Sequence, residues 1–260
     1  MSSQIALLIG ASGQTGQHLL KELLNSPNYS QVHEYGRRVT DTELLSNGKD
    51  KLQQKVIDFE KLNESGLKDG NWDVVFITYV YDLSCRFLLL FSLPPCRLGT
   101  TRKNAGSVEA FEKIDREYVI NVAREARISG KDQRLVYLSS TGANASSSFL
   151  YTKSKGLTEL GLASLGYKDT IIFRPAMLAG VDRPESRPLE TIARYFTNGL
   201  SHITSSVEIK VATLAKAMAK AGSLGSASLP PVARATQAGK ENASFTVVGN
   251  AGAIALAQFE

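Results

Sequence analysis

Tyr151 and Lys155 stand four residues apart in "YTKSK". On a helix that spacing puts both side chains on one face. An ammonium beside a phenol favours the phenolate and lowers the tyrosine pKa, so a tyrosine can exchange protons near neutral pH. Chance copies of this spacing lie on ordinary solvated helix faces. This copy follows "LVYLSSTGANASSSF", a predicted strand ending in Ser139 and Ser140. A serine hydroxyl at the C-terminal edge of a sheet can hydrogen-bond a substrate carbonyl oxygen. We take Ser140 as that donor and keep Ser139 beside it, because the spacing to Tyr151 is short. Asn121 falls on a predicted helix, but nothing else marks it for the site. The chemistry is proton delivery to a carbonyl oxygen: Ser140 polarises it, Tyr151 protonates it, and Lys155 tunes Tyr151.

A second group of residues suits phosphate. "GASGQTG" runs from Gly10 to Gly16, between a predicted strand and an amphipathic predicted helix. That context separates a dinucleotide fingerprint from a tight turn alone. A pyrophosphate must approach backbone N–H groups at a helix N-terminus, where side chains would block it. Ser12 and Thr15 add hydroxyl donors. "YGRRVT" follows the second predicted strand. An acidic residue there would hold a free ribose 2′-hydroxyl. Arg37 and Arg38 instead suit a 2′-phosphate, through charge-assisted bonds. NADP(H) is therefore expected over NAD(H); the alternative is a solvated surface pair. Asp58, in "IDF", either reaches the adenine or caps the turn before "EKLNE".

The elements that must position these residues alternate. Strands are expected at "QIALLIG", "VHEYG", "KVIDF", "WDVVFIT", "RLVYLSS" and "TIIFRPA". Helices are expected at "GQHLLKELLNS", "VEAFEKIDREYVINVAREARISG" and "YTKSKGLTELGLASLG". In the second of these, Val108, Phe111, Ile114, Tyr118, Val122 and Ala126 recur at helical spacing. The remainder reads as short helices, a connection from Gly222 to Gly239 and a last short strand, "SFTVV". Such alternation, with continuously apolar strands, predicts an α/β fold: a doubly wound parallel sheet covered on both faces. We expect one Rossmann domain over residues 1–260, with 185–260 on the substrate side. The part that should shape the pocket, 185–235, carries no readable motif, so it names no substrate.

Bulk properties narrow the classes. The 260 residues are 43% hydrophobic and 21% charged, with a net charge of +5. A chain of this size buries enough surface to fold without disulfides or metals. Cys85, Cys96 and the three histidines, His18, His33 and His202, form no ligand-spaced cluster. The basic residues are scattered, which is compatible with anionic small molecules or an anionic membrane surface and not with a nucleic-acid footprint; for most of them the alternative is ordinary surface charge. No apolar run reaches the roughly 18 residues that span a bilayer. "MSSQIALLIGASG" lacks the charged start of a signal peptide and the Arg-rich form of a transit peptide.

Taken together, the motifs resemble a short-chain dehydrogenase/reductase of the atypical kind. The chain is similar to the Tat-interacting-protein-like family and to the fungal found-in-mitochondrial-proteome proteins. The stretches that carry the resemblance are "GASGQTG", "GRR", "DFEKL", "LGTTRKNAG", "REYV", "LSSTGA", "FLYTKSKG", "FRPAML" and "ESRP", over residues 5 to about 190. The resemblance implies a Rossmann fold with NADPH, Ser12, Gly13, Gln14 and Thr15 at the phosphates and Arg37 and Arg38 at the 2′-phosphate. It further implies that Leu98 and Gly99 line the cofactor and that Tyr151 and Lys155 meet the nicotinamide ribose. Leu178 would pack near the nicotinamide, and Arg187 would reach in from the following loop. The expected activity is NADPH-dependent reduction of a small carbonyl compound; the alternative is a non-catalytic NADPH-binding regulator or scaffold. The expected location is the cytosolic face of the mitochondrial outer membrane, with plain cytosol as the alternative.

One stretch departs from the family pattern. "YVYDLSCRFLLLFSLPPCR", Tyr79 to Arg97, separates the fourth strand from "LGTTRKNAG". We expect it to be a translated intron. Thr78-Tyr79-Val80 can be encoded with a donor-like GTATGT, Cys96-Arg97 with an acceptor AG, and "FLLLFSLPPC" largely with pyrimidines. Excision in frame restores "VVFITLGTTRKNAG". The alternative is a genuine apolar insertion acting as a lid.

Overall fold

The computed structural model describes residues 3–78, 112–180 and 208–259. The block 79–97, Leu98, Gly99 and Arg187 lie outside the described residues.

Four continuously apolar stretches form the centre of the sheet. They are β1 (Gln4–Ile9), β4 (Val74–Ile77), β5 (Arg134–Leu138) and β6 (Asp169–Arg174). Their inner residues are almost wholly buried because both sheet faces are covered. Outside them lie β2 (Tyr29–Gly36), β3 (Leu52–Val56), β9 (Thr236–Lys240) and β10 (Ala243–Gly249). The order is β3-β2-β1-β4-β5-β6-β10-β9. Every pairing is parallel except the antiparallel β10–β9 hairpin at one edge. Strand order reverses at β1 and β4, the switch point where a doubly wound sheet opens a crevice at its C-terminal edge.

Helices fill both faces. On one, α1 (Gln14–Asn25), α4 (Val211–Leu224) and α5 (Asn250–Gln258) enclose a core containing Leu8, Leu20, Val32, Phe76, Met218 and Leu256. On the other, α2 (Tyr118–Glu125) and α3 (Leu150–Ala163) pack with Trp72 over Leu7, Val75, Leu135 and Ile172. A small parallel pair, β7 (Met177–Ala179) with β8 (Glu208–Lys210), follows β6.

Three expectations need correction. The third strand is Leu52–Val56, not "KVIDF"; it is a partly exposed edge strand, and Ile57 and Phe59 bury themselves just beyond its end. The second helix is broken by a π-helical turn, Lys113–Glu117, before α2 begins. The stretch 222–239 is not connection throughout: it holds the end of α4 and most of β9, whose polar residues face outward on an edge strand.

Candidate active site

The glycine turn forms as its spacing requires. Gly10 has φ 93°, in the left-handed region that favours glycine. The Gly13 amide donates to the Gly10 carbonyl at 3.0 Å, closing the turn. A Cβ on Gly16 would stand 2.1 Å from the Gly10 oxygen, so only glycine lets α1 start this close to the turn. Gly13 is the N-cap of α1 and offers no side chain to the first-turn amides. The N–H groups of Gln14, Thr15 and Gly16 therefore point out of an uncapped helix start, with its positive dipole end behind them. Ser12 is exposed beside them, and Thr15 is buried at 5% exposure.

Arg37 and Arg38 are exposed and follow β2 directly. With Gly10, Ser12, Gly36 and Phe59 they line one cavity. The structure thus brings the basic pair to the glycine turn, across the gap between β1 and β2. Asp58 does not line this cavity: its carboxylate accepts the Glu60 amide at 2.9 Å, the capping alternative.

Lys155 is fully buried, and its neighbours are the main surprise of the site. Its Nζ lies 2.7 Å from Oδ1 of Asp115, which is also fully buried, on the π-helical turn. It also donates to the Tyr137 hydroxyl, at 3.2 Å, and sits 5.9 Å from the Tyr151 ring centre. Ser154 donates to the second Asp115 oxygen at 3.0 Å. Burial pulls the Lys155 ammonium towards neutrality, while Tyr137, Asp115 and Tyr151 push its pKa up; the upward pull prevails. Tyr137 is driven up by burial, against the opposing pull of Lys155, so it stays a phenol. Asp115 lies in "KIDREYV", where an acid among charged residues reads as surface; no local signal marks it.

The two serines separate. Ser139 donates to Glu159 Oε1 at 2.6 Å, and Glu159 holds Arg174 through two bonds. Ser139 is thereby tied into a buried link between β5, α3 and β6. The Ser140 hydroxyl oxygen is buried with no hydrogen-bond partner among the described residues. Asn121 accepts a bond from Arg124 at the surface. Leu178 is half-buried on β7, against the core face shared with α4. Among the described residues there is no cluster of metal-ligating side chains, and no helix is long and apolar enough to cross a membrane.

This sheet order, with a glycine turn opening α1 at the switch point, is a Rossmann-type dinucleotide-binding fold. Solved structures agree on the fold. Uronate dehydrogenase from Agrobacterium tumefaciens superposes with a TM-score of 0.56 at 14% identity, over 96% of this chain and 77% of its own. The Bordetella bronchiseptica enzyme WbmH, solved with NAD+, gives 0.54 at 19% identity, over 83% and 71%. No protein-family model matches the chain. Curated relatives do. Protein HTATIP2 of Rattus norvegicus is 37% identical over 220 residues, 84% of this chain and 81% of its own length. The mitochondrial protein FMP52 of Candida albicans is 35% identical over 182 residues, 70% of each chain. The fmp52 protein of Emericella nidulans is 31% identical over 204 residues, 77% and 78%. The chain belongs to the family of HTATIP2 and the fungal FMP52 proteins.

Proposed function

We propose that the chain is an NADPH-dependent oxidoreductase that reduces a small carbonyl compound. The observation that carries this reading is convergence. The glycine turn and the basic pair follow β1 and β2 and line one cavity, Ser140 follows β5, and Lys155, beside Tyr151, bonds Tyr137 near the end of β5, so residues far apart in sequence lie toward the C-terminal ends of parallel strands of one sheet. The residues fit the cofactor: the uncapped start of α1 suits its pyrophosphate, and two guanidinium groups beside the turn suit a 2′-phosphate. Bound NADPH supplies the hydride to the carbonyl carbon. Ser140 donates a hydrogen bond to the carbonyl oxygen as negative charge develops there. Tyr151 gives that oxygen its phenolic proton, and solvent later reprotonates Tyr151. Lys155 keeps a positive charge beside the phenol. Asp115 and Tyr137 each take a hydrogen bond from the ammonium, so its remaining N–H is what a nicotinamide ribose would receive. Leu178, with Leu98, Gly99 and Arg187, would complete the nicotinamide end.

A binding-only role is the second reading, favoured by the Asp115–Lys155 pair, which has a structural use without catalysis. A panel of small aldehydes and ketones, followed by NADPH absorbance with wild type and Tyr151→Phe, separates the two. Turnover lost in the variant supports the reductase; tight NADPH binding without turnover on any substrate supports the scaffold. For location we propose the cytosolic face of the mitochondrial outer membrane, supported by the mitochondrial naming of the FMP52 relatives. Protease should degrade the protein on intact mitochondria, and carbonate should release it; protection behind an intact outer membrane would refute this placement.

A further inference from the structure

The loop that carries the basic pair is held by a buried carboxylate that the proposed chemistry does not use. Glu34, on β2, is 1% exposed. Its Oε1 accepts the Thr40 amide at 2.7 Å and the Thr40 hydroxyl at 2.8 Å. Its Oε2 accepts Gln54 Nε2, from β3, at 2.8 Å. The same Gln54 nitrogen donates to the Thr40 carbonyl at 2.6 Å. All three polar groups of Thr40 are therefore tied down by two side chains of the sheet.

Between Gly36 and Thr40 there is room for only Arg37, Arg38 and Val39. The near end of this arch is fixed too, because the Ile57 amide donates to the Gly36 carbonyl at 2.9 Å. The arch folds back tightly: a Cβ on Gly36 would stand 3.1 Å from the Arg38 carbonyl oxygen. With both ends pinned, three residues have little conformational freedom left. An acid on β2 ordinarily holds ribose hydroxyls at the strand end. Here it sits two residues earlier, buried, with both oxygens already bonded to the protein.

We propose that Glu34, acting through Thr40 and Gln54, is a positioning residue for cofactor choice. It never touches the ligand; it pre-pays the ordering of the Arg37–Arg38 arch, so that the guanidinium groups meet a 2′-phosphate without first freezing a mobile loop. The inference rests on the reading that this pair takes the 2′-phosphate of NADPH. Its consequence is specific: loosening the clamp weakens NADPH and leaves NADH, which lacks the phosphate, nearly unchanged.

The experiment measures dissociation constants of NADPH and NADH by titration calorimetry on the full chain. The proteins are wild type, Glu34→Gln, Thr40→Val and Thr40→Ser, each first checked for cooperative thermal melting. Wild type should prefer NADPH. Thr40→Val, which removes one hydroxyl from a partly buried position, should cut the NADPH-to-NADH preference about five-fold. Glu34→Gln should cut it further, and Thr40→Ser should restore it. Should Glu34→Gln fail to fold, Thr40→Val and Thr40→Ser carry the test alone. A wild-type preference for NADPH that survives Thr40→Val unchanged overturns the clamp while leaving the phosphate reading intact. A wild type that binds both cofactors equally overturns the phosphate reading and the clamp with it.

Discussion

Asp115→Asn should be the most damaging single-atom change near the site. The wild-type carboxylate lies 2.7 Å from the Lys155 ammonium, and both are fully buried. At an effective dielectric constant of about 20, that attraction is roughly 6 kcal/mol. Desolvating the two ions cost several kcal/mol each on folding, so the net worth of the pair is small. Removing one partner is different: the other charge stays buried and uncompensated, at about 3–5 kcal/mol. At roughly 2–4 °C per kcal/mol for a chain of this size, Tm should fall by on the order of 10 °C. The pH dependence gives a sharper signature. In wild type the Lys155 pKa is raised, so its contribution is fully present below the unfolded value of about 10.4 and is lost only as pH rises through the folded value. This group therefore adds no slope between pH 7 and 10. In Asp115→Asn, burial still opposes the charge and the carboxylate is gone; Tyr137, held as a neutral phenol across this range, supplies no negative charge in its place, so the folded pKa should drop below the unfolded one. The unfolded chain then binds more protons, and stability should climb with pH by up to about 1.4 kcal/mol per unit. The double replacement Asp115→Leu with Lys155→Met should recover most of the loss. Urea denaturation of wild type, Asp115→Asn and the double variant from pH 7 to 10 is the assay. A single-variant loss under about 1 kcal/mol with no slope, or a double variant no more stable than Asp115→Asn, would refute the buried-pair account.

The remaining predictions concern the same edge of the sheet. Replacing Arg37 and Arg38 by alanine should weaken NADPH by about 1.5–3 kcal/mol per lost contact and spare NADH; equal loss for both would show that the pair does not read the phosphate. Gly16→Ala puts a Cβ 2.1 Å from the Gly10 oxygen, so it should cost about 1–3 kcal/mol of stability and abolish NADPH binding, read by calorimetry; binding at wild-type strength would remove the turn from the site. Ser139→Ala unties a buried bond to Glu159 and should cost about 1–3 kcal/mol in urea denaturation, with turnover kept. Ser140→Ala should leave stability within about 0.5 kcal/mol and slow NADPH consumption by about 10²-fold or more; the reverse pattern would exchange the two serines' roles.

Local chemistry determined much of this protein. Continuous apolar runs such as Ala6–Ile9 and Val74–Ile77, in alternation with helical segments, read as strands covered on both faces, and Gly10, Gly13 and Gly16 between strand and helix mark the turn. Tyr151 and Lys155 share a helix face by periodicity, so their pairing needed no tertiary knowledge. What tertiary structure decided are partnerships between residues remote in sequence. Asp115 and Lys155 are 40 residues apart, and only the packing of the π-helical turn against α3 brings them together. Ser139 and Ser140 are indistinguishable as text, until Glu159 and Arg174, brought in from α3 and β6, claim one hydroxyl and leave the other. Glu34 carries no signal in the sequence; only when Thr40 and Gln54 fold onto it does it become the proposed clamp for the arginines. Edge strands β3 and β9 were misread or missed for a related reason: half their surface meets water, so their pattern carries little apolar signal, and only pairing with β2 and β10 makes them strands. A residue's type and spacing state what chemistry it can do; burial and partners decide which of those chemistries it is left free to perform.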